Sequence, residues 1–182
     1  HPITELCCGV DLVRLQIEVA AGRPLAMTQE EITPRGAAIE CRIYAEDPVR
    51  FLPSPGTLSA LRTPSGPGVR DDSGVYAGAE ISADYEPMIS NLTDWAATRE
   101  HANELKRRAL GEYVVGGIQT NLAFHQLVLA HPAFRSGDYE RGFIADHADA
   151  LQPAAGEDLL AVAAAAIDVQ RRRAVATNSS AN

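Results

Sequence analysis

Apolar residues recur along the first twenty positions at steps of four and three: Leu6, Val10, Val13, Ile17 and Ala20. That is the period of one helical face. It predicts a helix begun by Thr4 and ended by Gly22 and Pro24. Thr28–Glu31 reads T-Q-E-E, a capping-box pattern, but Pro34 leaves room for only a turn or a single helical coil.

From Gly36 the period changes to two. Ala38–Tyr44 reads as a strand with Ile39, Cys41 and Ile43 on one face and Glu40, Arg42 and Tyr44 on the other. Phe51–Gly56 (F-L-P-S-P-G) is a rigid turn, since two prolines fix φ and a glycine closes it. Thr57–Arg62 predicts a second strand, and the tight turn Ser65–Gly68 leads into a third from Val69. Val75–Gly78 and Met88–Trp95 are further candidates. Helical texture returns at Thr98, with Ala102, Leu105, Ala109 and Leu110 on one face and Arg99, Lys106 and Arg107 turned outward. Tyr113–Asn121 reads as a loop with a short strand. Leu122–Leu129 reads as a short helix stopped at His131-Pro132, and Tyr139–Ala148 as a further helix.

Helix, sheet and helix in blocks indicate an α+β fold, an antiparallel sheet flanked by helices. Residues 1–150 form the expected domain. Residues 151–182 read as a linker, an alanine-rich C-terminal helix over Glu157–Arg173 and a small polar tail with the composition of a disordered segment.

The 182 residues suffice for one domain with a sizeable core. A net charge of −8 argues against nucleic acid or an anionic membrane as partner. The longest apolar stretch, Leu159–Ile167, is too short to span a bilayer, and the N-terminus lacks a signal-peptide pattern. It starts on His1 rather than Met, so the sequence is read as a fragment. Cys7, Cys8 and Cys41 form neither a disulfide framework nor a metal-ligand spacing, which suits a reducing cytoplasmic setting.

Candidate chemistry is sparse. The Walker, zincin and nucleophile-elbow patterns are missing, the histidines are scattered, and His101 reads as a solvated surface residue. Ser65–Gly68 reads as a structural turn rather than a phosphate cradle. Arg42 stands out, mid-strand between apolar neighbours. Pattern alone leaves two readings open: a solvated or carboxylate-paired cation, or a rigidly mounted guanidinium that stabilises a developing oxyanion. Arg70 beside Asp71-Asp72 reads as a local salt bridge. The run Tyr85–Ile89 places Glu86 next to an apolar strand.

Several ordered blocks resemble the biotin carboxylase family. His1–Glu5 with Gly9–Val13 and Gln16-Ile17 is similar to its H-P-V-T-E…G-x-D-L-V-x-x-Q. Arg35–Ile43 with Ala45-Glu46-Asp47 is similar to R-G-H-A-I-E-C-R-I-x-A-E-D. Phe51–Gly56, Gly66–Arg70, Val75–Gly78, Tyr85–Leu92, Gly117-Ile118 with Thr120-Asn121, and Pro132–Phe134 follow in the family's order, so the likeness runs from residue 1 to about 145.

The resemblance implies the family's C-terminal domain and its chemistry, in which ATP activates bicarbonate as carboxyphosphate and biotin on a carrier is carboxylated. It implies that Arg42 is catalytic and contacts biotin, stabilising its enolate. It implies no metal ligands in this chain: ATP with Mg2+ or Mn2+ belongs to an upstream ATP-grasp domain that also brings the catalytic base. Implied partners are that domain, the biotin carboxyl carrier domain, a carboxyltransferase and a second copy in a homodimer, near which Arg70 lies. The isolated chain is then expected to be inactive.

This sequence departs from the family pattern at Ala37 for histidine, Glu86 for aspartate, Asn91 for lysine, Arg141 for threonine and Ala145 for an acid. Those departures motivate the alternative of a non-catalytic dimerisation or interaction module, or a carboxylase remnant. A docking role for Arg171–Arg173 ranks below a plain helix-dipole role.

Overall fold

A computed structural model of the chain describes residues 1–153. The expected helix over 157–173 and the polar tail lie outside the described residues. The single N-terminal helix divides into α1 (Pro2–Cys8) and α2 (Leu12–Ala20). Gly9 takes the left-handed φ of 69° and closes α1, while Asp11 restarts the helix by accepting from the Arg14 N–H at 2.9 Å. Thr4 lies inside α1, with its hydroxyl bonded to His1. The apolar period is helical but it does not mark a core face: Val13 and Ile17 are exposed, and α2 buries no residue. T-Q-E-E forms one 3-10 coil, Gln29–Glu31, with Glu31 accepting from the Thr28 N–H at 2.8 Å.

Strand β1 (Ala37–Tyr44) is followed by β2 (Gly56–Thr57), β3 (Ala60–Arg62), β4 (Val69–Ser73), β5 (Glu80–Ile81) and β6 (Met88–Ala96). After them come α3 (Arg99–Glu112), β7 (Val114–Gly116), α4 (Leu122–Ala130), α5 (Pro132–Ser136) and α6 (Phe143–Asp146). The main sheet runs β1-β6-β4, all antiparallel. The expected strand at 57–62 splits at Leu58, whose side chain is fully buried, so that β2 pairs with β5 and β3 with β7. Val75–Gly78 is a turn rather than a strand, tied back by Gly78 N–H to the Leu58 carbonyl at 2.7 Å. Pro132 ends α4 but opens α5, because a proline fits the first helical position. The expected helix at 139–148 shrinks to α6 and a following 3-10 turn. The α+β architecture stands.

Antiparallel register puts Ile39, Cys41 and Ile43 of β1 on the same face as Asp94, Leu92 and Ser90 of β6. Helix α3 packs against this face, burying Ala102, Lys106, Ala109 and Leu110. Lys106 therefore points inward, against the sequence expectation. Its Nζ donates to the Leu92 carbonyl at 2.6 Å and lies 3.4 Å from Asp94 Oδ2, both side chains being fully buried. Desolvation pushes the Lys106 pKa down and the Asp94 pKa up. Arg99 is half-buried, over the Phe134 ring at 5.0 Å, and donates to the Phe134 carbonyl at 2.7 Å. Arg107 and His101 are exposed, as expected.

Candidate functional site around Arg42

The alternation of β1 buries Ile39, Cys41 and Ile43 and leaves Arg42 on the opposite face. The Arg42 side chain is 61% exposed, and its Nε donates to Glu40 Oε1 at 3.3 Å. A carboxylate attends the guanidinium and the head group stands in the open, as the reading of a solvated, carboxylate-paired cation expects. Tyr44 lies next on the same face. Hydrogen bonding to Tyr44, then to Glu40, raises the Arg42 pKa. The Tyr44 hydroxyl donates to Glu86 Oε1 at 2.5 Å, and that bond raises the Tyr44 pKa. Glu86 reaches this face because β1 and β6 shift register beside Tyr44, which pairs with Met88. The result is a surface row of Glu40, Arg42, Tyr44 and Glu86, with one fixed cation among carboxylates and a phenol.

The outer edge of β1 is finished by side chains from the start of α4. Asn121, itself buried, donates from Nδ2 to the Arg42 carbonyl at 3.0 Å and to Glu46 Oε1 at 2.9 Å. Its Oδ1 accepts from the Tyr44 N–H at 3.0 Å. His125 Nε2 lies 3.0 Å from the same Arg42 carbonyl. A carbonyl only accepts, so this nitrogen carries the proton. Burial pushes the His125 pKa down and the Glu46 pKa up. The F-L-P-S-P-G turn holds α4 in place. Asp47 accepts from the Val49 and Arg50 N–H groups, each at 2.9 Å, which with the Arg50 side chain lowers its pKa to about 2. Phe51, at a positive φ of 55°, then meets the Phe124 ring edge-on at 5.1 Å.

Other sequence candidates separate from this row. Arg70 makes the expected local pair with Asp72 at 2.8 Å and a further one with Glu5 of α1 at 2.7 Å. Asn91 sits opposite Arg42 in the β1–β6 register, and its Oδ1 has no hydrogen-bond partner among the described residues. Ala37 begins β1, while exposed Arg141 and Ala145 lie at α6, apart in sequence from the row. Among the described residues no group of three or more His, Cys, Asp or Glu side chains could hold a metal ion, and no helix is long and apolar enough to cross a membrane. Sequence reasoning missed Asn121 and His125 as supports of Arg42. Their one advance signal was the Thr120-Asn121 block, which carries no chemistry of its own.

Residues 40–146 match the family described as the biotin carboxylase C-terminal domain. The biotin carboxylase of Haemophilus influenzae is 47% identical over 137 residues, covering 75% of this chain and 31% of the relative. The propionyl-CoA carboxylase alpha chain of Ruegeria pomeroyi is 48% identical, over 80% of this chain and 24% of its own length. Among solved structures, the biotin carboxylase domain dimer of Hydrogenobacter thermophilus 2-oxoglutarate carboxylase, in complex with MgADP, ADP and bicarbonate, superposes with a TM-score of 0.81 at 37% identity. That match covers 85% of this chain and 34% of the other. Rhizobium etli pyruvate carboxylase gives 0.80 at 34% identity, over 86% and 16%. The chain spans about a third or less of the length of these relatives. From its matching profile and the shared fold, the chain belongs to the biotin carboxylase C-terminal domain family.

Proposed function

We propose that the chain is the C-terminal part of a biotin carboxylase and forms the biotin-facing wall of its ATP- and bicarbonate-dependent reaction. The observation that carries this reading is the open guanidinium of Arg42, mounted on a strand whose other face is core. Biotin on its carrier supplies a ureido nitrogen as nucleophile. Arg42 offers N–H donors where negative charge grows on the ureido oxygen. A charge-assisted donor binds that charged oxygen more strongly than the neutral one, which lowers the barrier rather than merely tightening binding. Glu40 keeps the cation on the strand's outer face, and the Tyr44–Glu86 bond closes one side of the row.

ATP and its Mg2+ or Mn2+ are assigned to an ATP-grasp part of the enzyme. The carrier domain, a carboxyltransferase and a second copy of the enzyme complete the set of partners. A relative that is the alpha chain of a propionyl-CoA carboxylase supports that assignment, as does a neighbour crystallised as a domain dimer with MgADP. In the complete enzyme Arg42→Ala is expected to slow biotin carboxylation by roughly 100- to 1,000-fold, the scale for loss of one oxyanion donor, with the KM for ATP nearly unchanged. Equal small effects on both would remove Arg42 from catalysis. The 182-residue chain alone is expected to show no bicarbonate-dependent ATP cleavage, and turnover by it would overturn the division of labour.

A non-catalytic interaction module is the second reading, favoured by the amide oxygen of Asn91, which lacks a partner among the described residues beside Arg42. Wild-type turnover by Arg42→Ala would support it.

A further inference from the structure

β1 is an outer strand whose strand neighbour is β6. In an antiparallel pair, alternate residues turn both peptide groups toward the partner or both away from it. The peptide groups of Arg42 and Tyr44 turn away from β6, and such groups on a bare edge are left to water. Here Asn121 and His125 meet them: the Asn121 side chain bonds the Arg42 carbonyl and the Tyr44 N–H, the Asn121 backbone N–H donates to the Tyr44 carbonyl at 3.3 Å, and His125 adds a second bond to the Arg42 carbonyl.

We infer that Asn121 and His125 are positioning residues for Arg42. The inference rests on Arg42 being catalytic and names what holds it in place. The guanidinium stands at the end of a long, exposed side chain, in contact at the surface with Glu40 at 3.3 Å and with the Tyr44 hydroxyl. Such contacts are weak against solvent, so the aim of the head group depends on how firmly its backbone is held. A carbonyl has two lone pairs, and both acceptor positions of Arg42 O are used by α4 and its cap. Asn121 alone would satisfy the strand edge. The second bond, from His125, adds nothing the sheet requires, but it removes the freedom of the Arg42 peptide to tilt. A small tilt there is carried to the guanidinium along the whole side chain, and misplacement of a reacting group by about 1 Å costs on the order of 100-fold in rate.

The test uses the complete carboxylase carrying this domain, with His125→Leu to delete the donor and His125→Gln to return one. His125→Leu is expected to lower kcat for biotin carboxylation about tenfold, with KM for ATP and bicarbonate-dependent ATP cleavage without biotin unchanged. His125→Gln is expected to recover most of that loss. In parallel, 15N relaxation of the Arg42 Nε–H in the 182-residue chain should show greater motion in His125→Leu than in wild type. If His125→Leu does not fold, His125→Asn, whose amide is too short to reach, replaces it with the same expectation. Wild-type kcat and unchanged Arg42 motion in the deletion variant, while Arg42→Ala is impaired, would overturn the positioning role and leave the catalytic one standing. Wild-type turnover by Arg42→Ala would instead remove the catalytic reading, and the relaxation comparison would still decide whether His125 restrains Arg42.

Discussion

Lys106→Met is the most informative single change in the core. Methionine keeps the length and packing of the lysine stem but deletes its charge. Asp94 would then be a fully buried carboxylate, and neither of its oxygens has a hydrogen-bond partner among the described residues. Burial, no longer offset by the lysine charge, would favour its neutral form still further in the folded protein. An aspartate with an ordinary pKa of 3.8 is ionised at pH 7 once the chain unfolds. Leaving one member of a buried ion pair without its partner costs about 3–5 kcal/mol at neutral pH. The Leu92 carbonyl also loses its 2.6 Å donor, for about 1 kcal/mol that does not vary with pH.

The sign follows from proton counts. With its folded pKa raised, neutral Asp94 contributes stability below pH 3.8 that is lost as pH rises toward the folded value. The variant's deficit relative to wild type should therefore be about 5 kcal/mol at pH 7 and smaller near pH 4, where the unfolded aspartate also takes up its proton. Urea titrations at both pH values measure it, provided the m-value holds. Adding Asp94→Leu should recover most of the loss at pH 7, since an apolar pair of similar volume replaces a buried ion pair at little cost. A deficit equal at both pH values, or no recovery in the double variant, would refute the argument.

Native-state thiol titration should modify Cys7 and Cys8, both half-buried, long before Cys41, whose burial raises its pKa to about 12; equal labelling of all three would contradict the packing of β1. Gly36→Ala should destabilise the fold and alter the emission of the single tryptophan. At the glycine's φ of 66°, a Cβ would run into the Ala96 carbonyl and lie 2.7 Å from the Trp95 ring, so an unchanged spectrum and melting point would contradict that geometry.

The strand carrying Arg42 was legible because one of its faces is buried, which leaves a period-two imprint: Ile39, Cys41, Ile43. The same logic failed for α1 and α2. Their apolar positions keep a helical period, yet Gly9 and Asp11 break the chain between them, and Val13 and Ile17 face solvent. Lys106 was misread because a lysine among charged helix neighbours ordinarily points outward. Its partner Asp94 lies on a strand, and nothing local announces the pair. Asn121 and His125 were illegible for a different reason. Their role exists only once α4 is laid along the edge of β1, about eighty residues earlier in the chain.

The closed edge has a consequence for how the protein behaves in company. An outermost strand with idle peptide groups invites a strand from another molecule to add to it, the first step toward aggregation. At Arg42 and Tyr44 that invitation is withdrawn by side-chain amide and imidazole groups, which offer no continuing ladder to a newcomer. The protein can thus hold a solvent-open arginine on its sheet margin without turning that margin into a polymerisation seed. Losing the Asn121 amide would return the Tyr44 N–H to the open edge, while the His125 bond kept the Arg42 carbonyl occupied.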